Sequence, residues 1–136
     1  MATGYSDTPL VTKLGIKSGY TVLTLNAPDG YSSLLGDPYD IKIIADMPAG
    51  RPDLIHLFTN SRDELFSKLS DLRNVIRADG AIWVSWYKKA AKLPTEITED
   101  TIRDAALPLG LVDIKVCAVD NKWSGLKLVI RKENRV

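Results

Sequence analysis

The chain has 136 residues, 45% of them hydrophobic and 26% charged, with 18 Lys and Arg against 17 Asp and Glu for a formal net charge of +1. That length suits one domain with a real core, and the composition is that of an ordinary soluble globular protein. With no basic stripe and no acidic tail, nucleic acid is not expected as a partner.

Cys117 is the only cysteine and His56 the only histidine, which excludes an intramolecular disulfide, a cysteine-rich metal site and the usual zinc ligand sets. The residues from Met1 to Asp7 have neither a basic start nor an apolar core. The apolar runs are far shorter than the roughly 20 residues that span a bilayer. The expectation is a cytoplasmic chain with no membrane partner. No repeat or low-complexity linker interrupts it, so 1–136 reads as a single domain. Within it, 1–19 is expected as an N-terminal helical segment packed on the rest, and 132–136 as a disordered tail.

Thr8-Pro9 resembles a helix start, with Leu10, Val11 and Leu14 as a short apolar face and Gly15 as the stop. Tyr20 to Leu25 is β-branched and mostly apolar, as in a buried parallel strand. The loop Asn26-Ala27-Pro28-Asp29-Gly30 follows, then a short helix over Tyr31 to Leu35 closed by Gly36. A second strand is expected at Ile41 to Ile44, ending on Ala45-Asp46. The stretch Met47 to Pro52 cannot hold a helix, and Asp53 to Phe58 reads as a third buried strand. Ser61 and Glu64 have capping-box spacing, and Leu65, Leu69, Leu72 and Ile76 share one helical face. Ala78-Asp79-Gly80 turns into a fourth strand, Ala81 to Trp86. Thr98 caps another helix with Ile102, Ala105, Ala106 and Leu109 inward.

The last part changes period. Val112, Ile114, Val116 and Ala118 alternate with Asp113, Lys115 and Cys117, and Leu126, Leu128 and Ile130 alternate with Lys127 and Arg131. The segment from Asp120 to Gly125 between them is too short for a parallel crossover, so these strands pair antiparallel. The fold class expected is a Rossmann-like three-layer α/β sandwich, with a mostly parallel sheet of about six strands ending in an antiparallel hairpin.

That ground plan resembles class I S-adenosylmethionine-dependent methyltransferases. Asp53 to Phe58 resembles their fourth strand, Leu72 through Ser85 their following helix, turn and fifth strand, and Leu109-Gly110-Leu111-Val112 the start of their C-terminal end. A more specific likeness, covering nearly the whole chain, is to a family of small uncharacterised bacterial proteins. It is carried by Tyr5-Ser6-Asp7-Thr8-Pro9-Leu10, Leu25-Asn26-Ala27-Pro28, Trp83-Val84-Ser85-Trp86 with Lys88-Lys89, Thr98-Glu99-Asp100, Val116 to Asp120, and Trp123-Ser124-Gly125-Leu126-Lys127. That resemblance implies a fold and no activity.

Two departures from the methyltransferase plan stand out. A cofactor-binding Rossmann turn is glycine-rich so that backbone can approach the ligand. Here Pro28 removes an N–H and restricts Ala27, leaving only Gly30 permissive. Only residues 45–52 separate the second strand from the third, too few for a helical crossover, so the usual third strand and its helix are missing.

Ligands of open α/β sheets bind beyond the carboxyl ends of the strands. Those ends carry Asn26, Asn60, Ser61, Trp86, Lys88, Lys89 and Trp123. The helix start at Ser61 and the two ammonium groups suit a phosphate or carboxylate; the plainer reading makes Ser61 a cap and the lysines a solvated loop. Trp86 and Trp123 either stack on a flat ligand or cover the sheet end as core. His56 reads as a buried hydrogen-bonded residue, Cys117 as packing. No residue is assigned to catalysis, and no metal or cofactor is expected. The preferred function is a non-catalytic module binding a small anionic ligand or a protein partner. The alternative is a minimal methyltransferase, with S-adenosylmethionine held by Asn26, Gly30 and Asp46; Asp46 lies where an acidic residue meets a ribose, or is a solvated loop aspartate.

Overall fold

The computed structural model describes residues 9–38, 40–47 and 50–134. Its elements in chain order are α1 (Leu10–Lys13), β1 (Thr21–Leu25), α2 (Tyr31–Leu34), β2 (Lys42–Ile44), β3 (Leu54–Phe58), α3 (Arg62–Arg73), β4 (Ala81–Tyr87), α4 (Glu99–Ala106), β5 (Leu111–Ala118) and β6 (Trp123–Ile130). The six strands form one sheet in the order β2-β1-β3-β4-β6-β5. β1 pairs parallel with β2 and β3, and β3 with β4, whereas β6 is antiparallel to both β4 and β5. This is the mixed sheet that the change of period foretells. Among the described residues β2 is the edge of the sheet on the β1 side.

Two apolar layers cover the sheet. One face packs against α3 and α4 through Leu65, Leu69, Leu72, Ile102 and Ala105, over Ile55, Leu57, Val84 and Leu128. The other packs against α1 and α2 through Leu10, Leu14, Tyr31 and Leu35, over Val22, Phe58 and Trp83. The anticipated inner face of α3 is fully buried, because residues spaced three and four apart stack on one side of a helix. Trp83, itself wholly buried, donates its indole N–H to the Leu14 carbonyl over 2.9 Å, pinning α1 to the centre of the sheet.

Several boundaries move. β6 begins at Trp123 rather than Leu126, so the hairpin turn narrows to residues 119–122. Asp120 makes this possible: its carboxylate accepts the backbone N–H groups of Lys122 and Trp123, both at 2.8 Å. The alternation in β5 does not yield one buried face, because a register shift between Asp113 and Lys115 breaks the period. Ile114 and Val116 stand 56% and 48% exposed on this edge strand. Residues 132–134, expected within a disordered tail, form a 3-10 turn; 135 and 136, like 1–8, lie outside the described residues. No helix among those described is long and apolar enough to cross a membrane.

Candidate functional site

β4 runs past β3 at its carboxyl end, paired there with the start of β6, and the chain leaves it through Lys88 into a 3-10 turn at Lys89–Ala91 before α4. Between that exit, the loop at 93–95 and the first turn of α4 lies a cleft of about 860 Å³. Trp86, Tyr87, Lys88, Lys89, Arg103 and Ser124 are among the residues that line it. Three of the seven residues expected at the site are therefore brought together: Trp86, Lys88 and Lys89.

The charges in the cleft are partly spent. Arg103 reaches Glu99 at 3.0 Å, Asp100 at 3.0 Å and Asp113 at 3.1 Å. Its hydrogen bond to Asp113 leads the causes that raise its pKa, so it stays cationic and holds the acidic start of α4. Thr98 and Thr101 close the N-terminus of α4 with a reciprocal capping box. The side chain of Lys89, exposed, makes no ion pair among the described residues.

Asn60 lies behind this cleft. Its side-chain oxygen accepts the Tyr87 N–H at 2.8 Å and its carbonyl accepts the Glu96 N–H at 2.9 Å, which fixes the end of β4 to the 93–97 loop. Ser61 caps α3 by accepting the Glu64 N–H at 3.2 Å. The next free donor, the Arg62 N–H, is taken by the Glu96 carboxylate at 2.8 Å. The helix start expected to offer N–H groups to an anion thus already carries an acidic side chain of the same chain.

Glu64 does not complete the capping box at Ser61. Its carboxylate instead accepts the Thr59 hydroxyl and, at 3.2 Å, the side-chain amide of Asn26, while the Ser61 N–H goes to Thr59 Oγ1 at 3.2 Å. Asn26 also donates to the Phe58 carbonyl at 3.0 Å. It holds a left-handed φ of 60° that few residues other than glycine tolerate, asparagine among them. Asn26 thus ties the end of β1 to the end of β3 through Phe58 and to the first turn of α3 through Glu64. No local pattern signals the Asn26–Glu64 bond, because the partners are 38 residues apart.

Trp86 and Trp123 do not share a site. Register pairs Trp86 with Ser124 and Tyr87 with Trp123, so the two indoles lie on opposite faces of the sheet. Trp86 is 7% exposed in the layer under α3 and α4. Trp123 meets Phe58 edge-on at 5.0 Å and Tyr87 at 4.5 Å on the other side. Gly30, at φ 81°, opens α2, and Asp46 stands exposed after edge strand β2.

His56 is wholly buried in mid-strand, with Nδ1 at 2.8 Å from the Tyr31 hydroxyl and Nε2 at 2.7 Å from Ser85 Oγ. Burial pushes its pKa from 6.5 down to about 3, so it is a neutral imidazole, one nitrogen donating and the other accepting. Ser85 is equally buried, so this Tyr31–His56–Ser85 chain meets no substrate. Cys117 is half-buried, and burial raises its thiol pKa against the opposing pull of Lys13 and Lys115. Among the described residues no group of three or more His, Cys, Asp or Glu is placed to hold a metal ion.

Solved structures similar to this chain include methyltransferases. A SAM-dependent methyltransferase from Aquifex aeolicus superposes with a TM-score of 0.65 at 13% identity, over 93% of this chain and 90% of that one. A putative type 11 methyltransferase from Sulfolobus solfataricus gives 0.58 at 13% identity, over 92% and 91%. The ribosomal protein L11 methylase of Lactobacillus delbrueckii subsp. bulgaricus gives 0.56 at 15% identity, over 90% and 75%. Likeness at such identities establishes the fold alone: a methyltransferase-like Rossmann domain. The chain belongs to the family described as a protein of unknown function, DUF3052, whose model matches residues 49–132. No curated protein matches it.

Proposed function

We propose that this chain is a non-catalytic binding module that takes a small anionic ligand in the cleft at the carboxyl end of β4 and the adjoining start of β6. The observation that carries the reading is the cleft itself, which Lys88, Lys89 and Trp86 line together beside a first turn of α4 whose carboxylates already serve Arg103. An ammonium group at the rim and an indole at the wall suit an anion with a flat organic part.

The residues expected to hold S-adenosylmethionine do not fit that group. Asn26 spends its side-chain amide on Phe58 and Glu64, and the Glu64 carboxylate beside it repels the cofactor's own carboxylate. Gly30 alone has the left-handed freedom a close backbone approach needs, and it is used to start α2. Asp46 sits two residues beyond a three-residue edge strand, with no further strand to form a wall.

Fluorescence titration with anilinonaphthalene sulfonate, a flat aromatic anion, tests the reading. Saturable binding by the folded chain that is lost in the Lys88→Glu, Lys89→Glu double variant supports it, and retained binding removes the lysines from the site. A melting temperature raised by millimolar S-adenosylmethionine or its homocysteine product would favour the methyltransferase alternative instead.

A further inference from the structure

A second cleft, of about 870 Å³, opens at the opposite end of the sheet between the last turn of α3 and the C-terminal 3-10 turn. Arginines 51, 73 and 77 line it, over a floor that includes Ile76 and Ile130. The three guanidinium groups are not equivalent. Arg77 is outnumbered by carboxylates, with Asp79, which also lines the cleft, at 3.1 Å and Asp53 at 3.6 Å. Arg51 and Arg73 have no carboxylate partner among the described residues.

Backbone carbonyls hold these two instead. Arg51 Nη1 donates to the Asn74 carbonyl at 2.9 Å and the Ile76 carbonyl at 3.2 Å. Arg73 Nε donates to the Leu109 carbonyl at 2.9 Å. Each bond orients a fork without cancelling its charge, and leaves the Nη2 donors of Arg51 and both terminal nitrogens of Arg73 without a hydrogen bond to the described residues. Capping of helix carbonyls accounts for one edge of each guanidinium. It leaves two full positive charges on one concave surface.

We propose that this cleft binds a small phosphomonoester, with the phosphate between Arg51 and Arg73 and the organic part over Ile76 and Ile130. A phosphate monoester carries close to two negative charges at neutral pH, matching the two uncompensated cations. Its three terminal oxygens accept from two forks at once, whereas a planar carboxylate is filled by one. Arg51, Arg73, Arg77 and Ile130 all fall inside the segment 49–132 that defines the family. The site stands apart from the cleft at the carboxyl ends and does not depend on it.

Isothermal titration calorimetry with phenyl phosphate, against benzenesulfonate as a monoanion of the same shape, tests the proposal. The expected result is saturable binding of phenyl phosphate, preferred over the sulfonate and weakened about tenfold or more by Arg51→Gln or Arg73→Gln. The same titration of the Lys88→Glu, Lys89→Glu variant, in which the other cleft is silenced, should still show this binding, which separates the two sites. Should a glutamine variant lose its cooperative melt, Arg51→Lys and Arg73→Lys keep the charge while removing the fork, and the same weakening is expected. Absence of binding, equal affinity for the sulfonate, or affinity untouched by all four arginine variants would overturn the proposal.

Discussion

From β3 the sheet extends in two directions of unequal build. Toward one edge it passes through β1 to β2, a strand of three residues with none buried. Toward the other it passes through seven-residue β4 to a pair of eight-residue antiparallel strands. The short half is tied to β3 by polar side-chain bonds: Tyr31 to His56, Asn26 to the Phe58 carbonyl, and the Thr21 N–H to Asp53 at 2.8 Å. The long half rests on apolar burial around Trp83, Val84, Leu126 and Leu128, all at most 1% exposed. Where a strand and its helix are missing, there is less apolar surface to bury, and directed hydrogen bonds between strand ends make up the cohesion. The family match covers residues 49–132, which includes the charged residues lining both clefts and leaves out Asn26, Gly30 and Asp46.

The largest effect expected is in the long half. Trp83→Ala should lose about 3–5 kcal/mol in chemical denaturation, from a cavity at the sheet centre plus the bond to Leu14. A loss smaller than that of any polar variant in the short half would break the comparison. Next is His56→Leu, which strands two buried hydroxyls and should cost about 2–4 kcal/mol.

His56 also gives the protein a pH signature. Its folded pKa of about 3 lies below the ordinary 6.5, so the stability it contributes is complete above about pH 6.5 and is lost as pH falls toward 3. The wild type should lose about 1.4 kcal/mol per pH unit in that window from this group alone. Unfolding measured from pH 6.5 to 5, above the range where carboxylates protonate, should show the slope in the wild type and a flat line in His56→Leu. Equal slopes would mean that the imidazole is hydrated in the folded state.

Asn26→Ala comes third, at about 1–2 kcal/mol, for a left-handed backbone without asparagine's compensation. Asn26→Gly should cost less than Asn26→Ala, because glycine relieves φ while losing the same bonds; equal losses would mean that the side-chain bonds, not the backbone, dominate. Smallest is Lys89→Glu, within about 0.5 kcal/mol for an exposed side chain, with its effect appearing in anion binding rather than in stability.

Much of this layout is legible in the residue pattern. The β-branched run before Asn26, the apolar faces of α3 and α4 and the terminal alternation each state a local period, and burial on one face follows from that period alone. The absence of a strand could be counted, because residues 45–52 are too few to return to the sheet through a helix. So could the helix caps at Ser61 and Thr98, since cap and partner are three residues apart.

What the tertiary structure alone decided are the encounters between distant segments. The β4–β6 register sent Trp86 and Trp123 to opposite faces, which no spacing within either strand reveals. Glu64 was written as a cap and became one end of a bridge to Asn26; Glu96, in a loop, became the anion at the start of α3. Arg51 and Arg73 meet at one cleft because a loop before β3 and the end of α3 reach carbonyls on different elements. A sequence fixes which faces must leave water, since that depends on neighbours one turn or two residues away. Which polar groups then find one another depends on how those faces are stacked, and here that stacking turned a glycine-poor turn into a closed strand end and left the open clefts elsewhere.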